Sequence, residues 1–63
     1  MNTATIIAPS HGDIAQMLRD QHKAAAEFWA YPGPEWQQNF QHGWLLDRGF
    51  PPTVEVDGLW YGA

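Results

Sequence analysis

Three histidines (His11, His22, His42), one serine (Ser10) and seven carboxylates (Asp13, Asp20, Glu27, Glu35, Asp47, Glu55, Asp57) are the side chains here best suited to catalysis or metal binding. Three imidazoles and a carboxylate would satisfy zinc in ligand type and number. Their spacing does not favour it. The chain contains no His-x-x-x-His pair and no His-Glu-x-x-His motif. His11 and His22 share a helical bearing but stand about 16 Å apart by helix rise, too far to hold one ion.

Nucleophilic chemistry fares no better. Ser10 and His11 are adjacent, but adjacency in sequence is not the geometry of a triad. No Gly-x-Ser-x-Gly elbow surrounds the serine. The position of Ser10 suits a helix N-cap instead. Acid–base work by paired carboxylates needs a cleft and perturbed pKa values. Asp20 and Glu27 are expected on a polar helix face, and Glu55 and Asp57 on a strand and in a turn. No glycine-rich loop followed by Lys-Ser/Thr is present to cradle phosphate. A chain of 63 residues also has difficulty enclosing a typical pocket of about 300–1,000 Å³. The expectation is no enzyme, no cofactor and no metal.

Charge narrows the partners. The net charge is −4, and the carboxylates face only Arg19, Lys23 and Arg48. Three dispersed cations cannot form the basic patch through which phosphate neutralisation drives nucleic-acid binding. An acidic balance suits docking on a basic protein surface, and it also serves solubility. The segment 1–10 lacks a basic start and a long apolar run, so it does not read as a signal peptide. No stretch approaches the roughly 20 apolar residues needed to cross a bilayer. The chain is therefore expected to be soluble and cytoplasmic. The absence of cysteine removes disulfides and suits a reducing compartment.

The elements follow from pattern. Residues 3–8 are rich in β-branched side chains and end at Pro9, which predicts a strand. Ser10 with Asp13 resembles a capping box opening a helix over residues 11–30. On it Ile14, Leu18, Gln21, Ala25 and Phe28 form one stripe, flanked by Met17 and Ala24. Lys23 can pair with Asp20 or Glu27 on the opposite side. Pro34 suits the first position of a second helix, in which Trp36, Phe40 and Trp44 share a face and Leu45 points away. Gly43 costs about 1 kcal/mol relative to alanine inside that helix, and either permits close packing or marks a break. Gly49 ends the helix, and Asp57-Gly58 is the preferred pair for a type I′ hairpin turn. The hairpin register sets Val54 against Tyr61, Glu55 against Trp60 and Val56 against Leu59. Val54, Val56, Leu59 and Tyr61 then share one face.

Together these predict a single α+β domain over residues 1–63, with order β-α-α-β-β and two helices on a small antiparallel sheet. The alternative is a helical hairpin followed by the β-hairpin, with a disordered N-terminus.

Four tryptophans, two tyrosines and three phenylalanines are many for so short a chain. They supply large apolar side chains to a domain that buries only about 60% of its unfolded surface. Trp60 falls on the sheet face away from the helices, beside Glu55. Trp29 falls at the edge of the first helix's stripe, on nearly the bearing of His22. These two indoles are the hardest to bury, and exposed Trp and Tyr are typical interface anchors. The candidate partner-binding residues are Trp60, Glu55, Tyr61, Trp29, His22 and Asp57. They predict a small acidic protein-binding module that occludes a functional surface of a larger host protein. By analogy of size and charge, this is the kind of inhibitor that phages and mobile elements use. The alternatives are a structural or accessory subunit of a larger assembly or an obligate homodimer. Single-strand binding by stacking on Trp60 and Tyr61 and a metal-stabilised minidomain are the weaker choices.

Overall fold

Ser10 opens the first helix as its neighbours require. Its hydroxyl accepts from the Asp13 backbone N–H at 3.1 Å, and the Asp13 carboxylate accepts from the Ser10 N–H at 2.9 Å. This capping box satisfies two donors that have no partner inside the helix. In the computed structural model, which describes residues 8–63, the helix α1 spans His11–Ala25 and α2 spans Pro34–Asp47. Strands β1 (Val54–Val56) and β2 (Leu59–Tyr61) form an antiparallel pair in the expected register. Two helices packed against a two-stranded antiparallel sheet make the α+β fold. The strand expected at residues 3–8 lies outside the described residues, except for Ala8, which belongs to no element.

Helix α1 is five residues shorter than its pattern predicts. Beyond Ala25 the N–H groups of Glu27 and Phe28 donate to carbonyls three residues back, at 3.2 and 3.0 Å. That tighter winding closes the helix and lets the Phe28 ring fold back edge-on to Trp36, with centroids 5.7 Å apart. Trp36 in turn stacks on Phe40 at 5.4 Å. An aromatic ladder thus joins the two helices at their turn, and tertiary contact overrides local propensity.

At its other end α2 closes in a Schellman motif. Gly49, with φ +83°, donates to Leu46, and Phe50 donates to Leu45. This doubled bond satisfies the last carbonyls of the helix and places Phe50 against the core. The tip of the β-hairpin has positive φ at both Asp57 and Gly58, as a type I′ turn requires.

The buried core is Ile14, Met17, Trp44, Leu45 and Val54, edged by Phe40, Phe50, Val56 and Tyr61. Two expectations change. Leu45, expected to point outward, is fully buried, because α2 turns the stripe Gln41, Trp44, Leu45 inward and leaves Trp36 half-buried. On α1 the centre is Met17, while Leu18 is exposed at the margin and Phe28 lies beyond the helix end. Each is a rotation of roughly one residue about the helix axis, enough to exchange centre and flank.

Polar side chains tie the layers together. Gln41, only 5% exposed, donates through Nε2 to Gln21 Oε1 at 2.7 Å and accepts through Oε1 from the Gly62 N–H at 2.8 Å. One amide thereby links α1, α2 and the chain after β2. A second cluster surrounds Asp20. Its carboxylate accepts from Trp44 Nε1 and from Gln16 Nε2, each at 2.8 Å, and Arg48 approaches it at 4.0 Å. The Arg48 guanidinium also lies 3.8 Å above the Trp44 ring, a cation–π contact. Among the described residues Arg48–Asp20 is an ion pair and His11–Asp57 a close polar pair, and Lys23 belongs to neither.

This cluster makes stability depend on acid. The indole N–H of Trp44 holds the Asp20 carboxyl below the ordinary carboxylate range, helped by the Gln16 amide and by the charges of Arg48 and Lys23, against desolvation. A carboxyl whose pKa is lower when folded contributes stability above its unfolded value, and that contribution is lost as pH falls through the folded value. Melting temperature should therefore fall on acidification below about pH 4. Asp20→Asn should melt lower at neutral pH and show a flatter acid limb. Melts followed by circular dichroism across this range check it, and superimposable acid limbs would contradict it.

Candidate functional site

The hairpin determines which rings face out. Alternation along two three-residue strands sends Val54, buried, and Tyr61, half-buried, toward the helices. Glu55 and Trp60, cross-strand partners, take the opposite face, where Trp60 is 63% exposed. Leu59 was expected inward with Val54 and Tyr61 but is largely exposed. Its pair lies next to the turn, and the turn meets α1 at His11, before the apolar stripe begins at Ile14. There the His11 Nε2 and Asp57 Oδ2 atoms are 2.6 Å apart, both side chains mostly in solvent. Exposed pairs of this kind add little stability. Their use here is to fix where the hairpin tip sits.

Trp29 is 99% exposed. It lies beyond the end of α1, in the turn between the helices, so its expected bearing beside His22 does not apply. His22, in the last turn of α1, is itself exposed. Phe28 and Tyr31 are also exposed around this turn, and the Tyr31 hydroxyl donates to Gln37 Oε1.

The six candidate residues therefore divide. Trp60, Glu55 and Asp57 lie in the hairpin and face solvent, while Tyr61, beside them in sequence, packs on the core. His22 lies in the last turn of α1, about 16 Å from His11 by helix rise, and Trp29 lies beyond the end of that helix. They do not form one surface with the hairpin tip.

A hollow on α2 lies apart from both the hairpin and the turn. Asn39, Phe40, Gly43, Trp44 and Asp47 line a shallow hollow of about 310 Å³ along α2. It opens over Gly43, where the helix runs through without a break. A Cβ built at Gly43 would meet nothing within 4 Å. Gly43 thus serves neither of its expected roles, close packing or a break. Spacing by fours (residues 39, 43 and 47, with 40 and 44 beside them) is the signal that could have revealed this face.

Among the described residues, no three His, Asp or Glu side chains gather as a metal-ligating group. No described helix is long and apolar enough to cross a membrane. No protein-family model, curated protein or solved structure matches the chain.

Proposed function

We propose that this chain is a small non-enzymatic binding module that docks on a larger protein with a basic surface and occludes it. The observation that carries this reading is Trp60, an exposed indole paired across the strands with the carboxylate of Glu55. Among the described residues Glu55 makes no side-chain hydrogen bond or ion pair. An indole anchor beside an available anion complements an apolar pocket rimmed by lysine or arginine. The net charge of −4 has the sign that speeds such an encounter.

Capture of the partner from cells that make this chain tests the proposal, with the wild type and Trp60→Ala compared side by side. Wild type should retain a discrete partner whose recovery falls as salt rises. Trp60→Ala should lower recovery about tenfold or more, the range of an interface hot spot. Undiminished recovery by a folded Trp60→Ala would refute the assignment.

A further inference from the structure

We propose that the hollow over Gly43 receives an arginine side chain of the basic partner, which deepens the protein-binding reading and rests on it. Two residues lining the hollow are poor local choices for a helix. Gly43 sits mid-helix in ordinary helical conformation with open space where a Cβ would go, so nothing packed against it requires glycine. Asp47 places a carboxylate in the last turn of α2, at the negative end of the helix, while Arg48 at the C-cap turns its guanidinium to Trp44 and Asp20. Among the described residues it makes no side-chain hydrogen bond or ion pair. Two locally unfavourable residues meeting at one hollow are what a binding site leaves in a sequence.

The chemistry of the hollow selects the occupant. Phe40 and Trp44 supply an apolar wall, Gly43 bares helix backbone as a flat floor, and Asp47 and Asn39 supply acceptors at the rim. A planar guanidinium stacks on aromatic surface while its edge pairs with a carboxylate in the bidentate fashion that an ammonium cannot match. The protein already uses this contact once, with Arg48 on Trp44. That ring is therefore partly engaged, and the incoming group is left Phe40, the Gly43 floor and Asp47. The negative end of α2 adds to the attraction.

The probe is the blocked tripeptide acetyl-Gly-Arg-Gly-amide, titrated into labelled protein at low salt and followed by amide NMR shifts. Its citrulline analogue, neutral and nearly isosteric, is the control. The arginine peptide should shift residues 39–47, and the citrulline peptide should not. Gly43→Ala fills the floor, so it should raise the melting temperature by about 4–8 °C. It should also weaken the peptide about tenfold. Asp47→Asn should weaken it about tenfold as well, the scale of a charged hydrogen bond, and Trp60→Ala should leave it unchanged. No shift at millimolar peptide, equal shifts with citrulline, or a Gly43→Ala protein that melts no higher would each overturn the proposal. Partner capture that still depends on Trp60 but is indifferent to Gly43→Ala would remove the hollow and leave the binding module standing. Peptide binding at the hollow without Trp60-dependent capture would do the reverse.

Discussion

Gly62→Ala is expected to be among the most damaging single-methyl changes in this chain, costing about 3 kcal/mol or more. Gly62 has φ +81°, where an L side chain is strained by roughly 1–2 kcal/mol. Its missing Cβ would lie 2.2 Å from the Pro52 carbonyl oxygen and 3.2 Å from Leu45 Cδ1. The leucine can shift; a backbone carbonyl held by the neighbouring Pro51-Pro52 segment yields far less readily. The chain has one escape, which is to peel residues 62–63 away. That breaks the Gly62 N–H bond to Gln41 and leaves the buried Gln41 oxygen without its donor, a loss of about 1–3 kcal/mol. At this length total stability is roughly 3–9 kcal/mol by the usual per-residue range. Gly62→Ala should therefore lower the melting temperature by more than about 10 °C. A melt within a few degrees of wild type would mean that the C-terminal segment is not docked as described.

Leu45→Ala is expected to cost about 2–5 kcal/mol, the range for deleting a buried leucine and leaving a cavity. Leu45 has no exposed surface, and its carbonyl anchors the Schellman turn through Phe50. The core offers few neighbours able to collapse into the gap, since among the described residues its buried apolar members besides Leu45 are Ile14, Met17, Trp44 and Val54. Chemical denaturation should show a lower midpoint or no cooperative transition. The mutation also makes a second measurement informative. Removing the leucine side chain relieves only the milder of the two contacts at Gly62, so Leu45→Ala with Gly62→Ala should remain worse than either alone, though less than additive. A Leu45→Ala protein as stable as wild type would restore the outward position that the helical pattern suggests.

Local signals were legible and distant ones were not. The capping box at Ser10 and Asp13, Pro34 at the start of α2, Gly49 at its end and the Asp57-Gly58 hairpin with its register all rest on neighbouring residues. Each appears where the sequence puts it. What pattern could not fix was the rotation of each helix about its axis. The stripe Trp36, Phe40, Trp44 and the stripe Gln41, Trp44, Leu45 overlap, and the packing of α1 and the hairpin on α2 selects between them. The end of α1 failed for a similar reason, because Phe28 is drawn to Trp36 across the turn. Gln41 to Gln21 and Gly62, Trp44 to Asp20, and His11 to Asp57 join residues far apart in the chain, and no local motif announces them. For the candidate site, the outward place of Trp60 and Glu55 follows from strand alternation alone. The exposure of Trp29 has a different cause from the one the helical bearing suggests. The hollow at Gly43 had faint marks in the sequence, a glycine inside a helix and an aspartate at that helix's end, four residues apart.

Trp60 is held to serve a partner and not the interior, and one paired measurement on a single preparation bears on it most directly. Thermal melting and partner capture are recorded together for wild type and Trp60→Ala. The prediction is a melting temperature within a few degrees of wild type, as expected for a largely exposed side chain, together with capture reduced about tenfold or more. A protein that unfolds, or one that stays folded and captures its partner as well as before, would contradict it.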